Sequence, residues 1–215
     1  MLEKEIPDLN IFMMCMHVNP HAYRSLPEGF HIRTCRKDEL DLWKAFPFDS
    51  HEDGLRYADY MSEYYHNVYA AKETEFLSRC LFLCEDDTDA PAATCFAWKA
   101  YDRLTSIHWF KTLKPYEGRG LGRALLTYVM QSIEPGEYPV FLHTQPSSFR
   151  AIGLYSSFGF QMVTNETFGY RKNDYKACLP ILKEFMTEDA FRNLTFTKAS
   201  SYFDAIAKSS KISQF

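Results

Sequence analysis

The sequence has no apolar run of membrane-spanning length, no paired-cysteine motif and no surplus of basic residues. Its N-terminal apolar stretch, Ile11 to Met16, is too short for a signal-peptide core or a span, and the acids Glu3, Glu5 and Asp8 precede it. The chain is therefore expected in the cytoplasm, with no membrane partner. Its cysteines, Cys15, Cys35, Cys80, Cys84, Cys95 and Cys178, form no CxxC pair and no Cys/His cluster at zinc spacing. They read as buried, reduced thiols, and no metal is expected. With 24 basic and 28 acidic residues the net charge is −4, which lacks the basic footprint of a nucleic-acid binder. Internal repeats and low-complexity segments are also missing.

What is present is apolar and aromatic mass. The 215 residues are 46% hydrophobic and 16% aromatic, enough for a full core and for pocket walls. Residues 1–29 read as irregular, broken by Pro20, Pro27 and Gly29. Phe30 to Cys35 alternates as a strand. Asp38 is placed to cap a short helix through Ala45, which Pro47 ends. Tyr57, Tyr60, Met61, Tyr64, Tyr65 and Val68 recur at helical spacing, either as a core stripe or as tyrosines lining a pocket.

Phe76 to Cys84, Ala93 to Tyr101 and Thr105 to Thr112 read as three strands joined by short turns, an antiparallel meander. The order then changes to helix Leu121–Ser132, strand Pro139–Thr144, helix Ser148–Phe158 and strand Phe160–Tyr170, the pattern of a partly parallel sheet with packed helices. Residues 171–215 form an extension with two helices. The first contains Leu179 to Met186, with Pro180 in its first turn, and the second contains Tyr202 to Ile206.

The strongest chemical signal is the loop Glu117-Gly118-Arg119-Gly120-Leu121-Gly122-Arg123 between a strand and a helix. Glycines at alternate positions let the backbone turn sharply and approach a ligand. The helix that follows offers unpaired amides and the positive end of its dipole, which suits a pyrophosphate. Arg119 and Arg123 add charge, and Lys111 and Lys114 lie just before. The dinucleotide fingerprint fails, because Arg123 or Leu125 stands where its third small residue belongs. The Gly-Lys-Ser/Thr ending of an NTPase loop is absent.

The loop, together with Ser148-Phe149-Arg150-Ala151-Ile152-Gly153-Leu154-Tyr155-Ser156-Ser157-Phe158-Gly159-Phe160, resembles the two motifs of the GNAT superfamily, the Gcn5-related N-acetyltransferases. The first motif is usually Gln/Arg-x-x-Gly-x-Gly/Ala, and Glu117 departs from it. The second usually begins with Asn, where Ser148 stands. The resemblance covers about residues 30–170 of what is expected to be a single domain, 1–215. It implies an α/β (α+β) fold: a mixed central sheet with an antiparallel N-terminal meander, splayed strands 4 and 5, and helices on both faces.

The resemblance also implies acetyl-CoA as co-substrate and direct transfer of acetyl to an amine. Glu117 to Arg123 and Ser148 would hold the cofactor, and Phe110, Lys111 and Thr112 would offer backbone bonds to its pantetheine arm. Tyr155 stands at the family's general-acid position. His143 and His108 stand at positions where family members place a base, and their ordinary pKa near about 6.5 suits that role. Glu63 and Tyr64 are further candidates for acceptor contacts. A small-molecule primary amine is the expected acceptor. A protein or peptide acceptor, or a non-catalytic acyl-CoA-binding module, remain as alternatives. The C-terminal extension is expected to cover a sheet edge or to join two copies as a homodimer.

Overall fold

The computed structural model describes residues 6–214. Their first element is a strand, β1 (Ile11–Cys15). Next come β2 (Phe30–Thr34) and four helices, α1 (Leu40–Ala45), α2 (His51–Arg56), α3 (Ala58–Val68) and α4 (Glu73–Arg79). The meander follows as β3 (Leu81–Glu85), β4 (Pro91–Ala100) and β5 (Leu104–Thr112). Then come α5 (Leu121–Gln131), β6 (Val140–Thr144), α6 (Phe149–Ser157) and β7 (Phe160–Val163). A small hairpin, β8 (Thr167–Phe168) with β9 (Arg171–Lys172), precedes α7 (Tyr175–Phe185), α8 (Glu188–Arg192), β10 (Phe196–Thr197) and α9 (Ser201–Ala207).

Eight strands form one mixed sheet in the order β10-β7-β1-β6-β5-β4-β3-β2. The expected meander is present, with antiparallel pairing of β3 to β4 and of β4 to β5. Parallel pairing occurs between β5 and β6 and between β10 and β7.

Four expectations need correction. The N-terminal stretch is not irregular, because Ile11–Cys15 lies between β6 and β7 and pairs antiparallel with both. Five consecutive buried apolar residues are the mark of a strand covered on both faces, and they carry no alternation to announce it. Glu73–Arg79 is helical, so the strand expected from Phe76 begins only at Leu81. β7 stops at Val163, and the chain then turns into the small hairpin. Pro180 sits in the middle of α7 rather than its first turn.

Helices cover both faces of the sheet. Along β1, Ile11, Met13 and Cys15 join one core layer while Phe12 and Met14 face the opposite one, as a two-residue period requires. The first layer receives α5, α6 and α7 through Leu125, Ile152 and Leu182. On the opposite face, Trp43, Met61 and Phe76 of α1, α3 and α4 cover the meander, and Ile206 of α9 covers the β1 end. The six cysteines are free and buried. Among the described residues, no helix is long and apolar enough to cross a membrane.

Met13 is fully buried at the middle of this inserted strand. Met13→Ala should lower unfolding free energy by about 2–5 kcal/mol in a urea titration, the usual cost of such a truncation. A loss under about 1 kcal/mol would mean that β1 is not an integral part of the core.

Candidate active site

The site begins with a defect in β5. Its ladder with β4 shifts between Thr94 and Phe96, and Trp109 opposite the shift adopts a left-handed backbone, φ 50°. A bulge bends a strand and strengthens its twist. On its other side β5 pairs with β6 only at Ser106 and Phe141. Beyond that point the two strands part, and Phe110 to Thr112 have no ladder partner on β6. This is the splay expected from sequence.

The glycine loop lies beyond the end of β5. Gly118 and Gly120 have φ of 76° and 80°, a conformation that favours glycine, and a side chain at either would meet nothing within 4 Å. Gly120 is the N-cap of α5, without a side chain to cap the helix, and no acidic residue occupies the first turn. The first helical bond is donated by Ala124 to Gly120. The amides before it are therefore available to an anion. Gly122 serves another purpose: a methyl group there would lie 3.0 Å from Thr112 Oγ1 and 3.1 Å from the Phe110 ring. Its smallness seats the helix against β5.

The charged residues of this segment are mostly engaged. The Arg119 guanidinium stacks over the rings of Phe30 and Tyr116. Arg123 donates to Ala22 O and Ser157 Oγ and ties α5 to α6. Lys111 and Lys114 both pair with Asp49. Glu117 lies 3.7 Å from Arg150. Leu121 is buried in the core. Backbone amides, rather than these side chains, are what the loop leaves uncommitted.

A cavity of about 670 Å³ opens between β5 and β6. It brings together Tyr155, His108, His143, Phe110, Lys111 and Ser148, residues far apart in sequence. Tyr155 packs against Phe110 and Phe160, and burial, with a smaller push from Cys95, raises its pKa well above the ordinary phenol value. Its hydroxyl has no protein hydrogen bond among the described residues.

The two histidines are differently held. His108 Nδ1 lies 2.5 Å from the Tyr69 hydroxyl, which accepts a bond from Trp109 Nε1 at 3.1 Å. His143 lies between Arg171 and Asn10. Arginine only donates, so His143 Nδ1 accepts from Arg171 at 3.2 Å and Nε2–H donates to Asn10 Oδ1 at 2.9 Å. Burial lowers the pKa of both imidazoles to about 3, with the Arg171 charge contributing at His143. Both are neutral at pH 7.

The aromatic helix serves two purposes. Met61, Tyr65 and Val68 of α3 are buried in the core, while Tyr60 and Tyr64 line the cavity with Tyr57. Glu63 is exposed and outside it. Sequence reasoning missed Arg171, Asn10, Asp49 and Gln214. The Tyr64 hydroxyl donates to the Gln214 carbonyl at 3.0 Å. None belongs to a motif or a periodic segment. Only the tertiary fold brings Arg171 and Gln214 to the cavity wall, and Asn10 and Asp49 against His143 and Lys111 on that wall.

A family model described as the acetyltransferase (GNAT) family matches residues 40–160, more than half of the chain. No curated protein matches it significantly. Among solved structures, the tandem GNAT protein from the clavulanic acid biosynthesis pathway is similar in fold, with TM-score 0.50 and 15% identity, over 73% of this chain and 50% of that one. An acetyltransferase from the GNAT family of Colwellia psychrerythraea has TM-score 0.48 and 10% identity over 74% of this chain and 54% of its own. A GCN5-related N-acetyltransferase from Sphaerobacter thermophilus has TM-score 0.44 and 21% identity over 64% and 43%. The chain thus spans about half the length of these solved chains.

The neutral histidines fix a sign for pH dependence. Unfolding returns each to an ordinary value of 6.5 from about 3, so the unfolded state binds more protons between those limits. Stability is complete above that window and falls as pH drops through it. The denaturation midpoint should decrease from about pH 7 to about pH 5, a range above ordinary carboxylate titration. The ring-proton NMR signals of His108 and His143 should not titrate over it. Titration of either near 6.5 would contradict its burial as a neutral group.

Proposed function

The chain belongs to the acetyltransferase (GNAT) family, and from this we propose that it transfers acetyl from acetyl-CoA to a primary amine of a small molecule, by direct attack. The observation that carries the proposal is the parting of β5 from β6 beside a glycine-bared helix N-terminus. We take the whole chain, 1–215, as one acetyltransferase unit.

The residues fit the cofactor. The amides of Gly118 to Arg123 would hold the pyrophosphate, since two left-handed glycines leave the space over them open. The unpaired edge at Phe110, Lys111 and Thr112 would bond the pantetheine arm as an added strand would. The Ser148 hydroxyl, on the cavity wall, would stand where the family uses an amide. Bound there, acetyl-CoA supplies the acyl group as a thioester.

Tyr155 is assigned as proton donor to the departing sulfur. Its raised pKa keeps the phenol protonated, and among the described residues its hydroxyl is uncommitted to other protein groups. We assign His143 and His108 to positioning rather than to direct proton abstraction. The acceptor lone pair of His143 is occupied by Arg171, and His108 is buried beside Tyr69. An amine among aromatic walls and near the Arg171 charge is itself disfavoured as an ammonium, so it reacts as the neutral form. A cavity of about 670 Å³ walled by Phe48, Tyr57 and Tyr60 supports a small acceptor over a polypeptide.

Thiol release from acetyl-CoA should be stimulated by a small primary amine. Tyr155→Phe should reduce kcat about hundredfold or more, as loss of a general acid does, with little change in acetyl-CoA affinity. Retained turnover would remove the proton-donor role. Gly120→Val should weaken acetyl-CoA binding in a calorimetric titration by more than about tenfold, because a β-branched residue is strained at φ 80°. Unchanged affinity would count against the cradle. The ascending limb of kcat/KM against pH should follow the pKa of the acceptor amine. A limb fixed near about 6.5 for all amines would return the base role to a histidine.

A further inference from the structure

The acetyltransferase reading leaves the chemistry of the acceptor open, and one charge in the cavity bears on it. Arg171 is half-buried on β9 and lines the cavity wall. Among the described residues, it has no carboxylate within ion-pair distance. Its one side-chain hydrogen bond, from NH1, goes to the neutral imidazole of His143. Other cations near the site are neutralised by the protein. Lys111, the other basic chain on the cavity wall among the described residues, is bonded to Asp49 at 2.6 Å.

Two acids beside the hairpin, Asp174 and Asp204, have other partners. Asp174 pairs with Lys172 and accepts from the Asn10 amide. Asp204 accepts from Gly169 N, which anchors the hairpin, and pairs with Lys208. Asp8 is the one acid on the cavity wall among the described residues, and it forms no ion pair with Arg171. The phenols Tyr64 and Tyr101 feel the guanidinium charge, yet burial keeps them protonated.

Arg171 is nevertheless well oriented. The Asn10 carbonyl holds the proton of His143 on Nε2, so that Nδ1 presents a lone pair to NH1. That bond fixes the guanidinium without cancelling its charge. Among the described residues it leaves NH2 and Nε with no protein acceptor, and these donors form a fork that matches a carboxylate.

We propose that the acceptor is an amine that also carries a carboxylate, and that Arg171 binds this carboxylate on the cavity wall. The proposal rests on the acetyltransferase reading for the fate of the amine, but not for the binding of the acid group. His143 and Asn10 act as positioning residues for Arg171. Aromatic side chains on α3 and around it would cover the rest of the molecule.

The test uses glycine, leucine and phenylalanine, each paired with its own carboxamide. Thiol release is measured with saturating acetyl-CoA and corrected for the fraction of neutral amine. The wild type should prefer at least one acid over its amide by about tenfold to hundredfold in kcat/KM, the worth of a charge-assisted hydrogen-bonded pair. In Arg171→Gln the ratio should fall to near one, through KM. Arg171→Lys should retain part of it. Acetyl-CoA affinity and melting temperature should be kept in both variants, which separates lost recognition from misfolding.

Amides used as well as their acids by the wild type, or an unchanged ratio in Arg171→Gln, would overturn the proposal. If no amine releases thiol, the acetyltransferase reading fails, and binding decides the inference separately. Fluorescence of Trp109, which lines the cavity, is then titrated with N-acetylphenylalanine and its amide. Acid-selective binding lost in Arg171→Gln would sustain the carboxylate site, and binding without that selectivity would end it.

Discussion

The site depends on the divergence of two neighbouring parallel strands. β5 and β6 share a single paired position, Ser106 with Phe141, and then separate. Separation leaves polar backbone groups without partners, which a protein tolerates only where water or a ligand satisfies them. The bulge at Trp109 bends β5, and Gly122 lets α5 sit close beneath Phe110 and Thr112. Bend and close approach together place an unpaired strand edge beside unpaired helix amides. The glycine-bared helix end and the cavity with the Tyr155 side chain on its wall lie along that opening.

The opening needs rigid surroundings. On one face, α5, α6 and α7 bury Leu125, Ile152 and Leu182 against the sheet. On the other, Trp43, Tyr69, Phe76 and Phe96 pack edge to face around the bulge. Tyr69 connects this packing to the site, since its hydroxyl joins Trp109 to His108. Aromatic pairs of this kind stabilise beyond the area that they bury. The abundance of Tyr and Phe in the sequence thus has two destinations, a core cluster and a cavity wall, and α3 contributes to both.

The parts of the site that could be read in the sequence are those whose geometry is local. Glycines at 118 and 120 announce left-handed turns, and the step from strand to helix announces free amides. Ser148 to Phe160 carries its own helix, turn and strand, and so places Tyr155. The meander was legible because its turns are short. β1 was not, because Ile11–Cys15 is buried on both faces and has no alternating pattern, and its partners lie more than a hundred residues away. Arg171 was hidden for a related reason. It lies in a two-residue strand of a separate hairpin, outside the matched span 40–160, and only tertiary packing brings it to the cavity.

The insertion of β1 also changes how His143 is read. From sequence, a histidine at the end of a strand before the second motif suggests a base. The fold puts Phe12 opposite His143 in the β1–β6 ladder, and Asn10 then reaches Nε2. Arg171 approaches the other nitrogen from the hairpin. An imidazole between a carbonyl oxygen and a guanidinium has one stable tautomer, and taking a proton would set two cations side by side. Residues around the N-terminal strand and the hairpin thus occupy both ring nitrogens of His143. The cavity thus draws on two kinds of sequence: motif residues such as Ser148 and Tyr155, and residues outside any motif such as Tyr57, Tyr60 and Arg171.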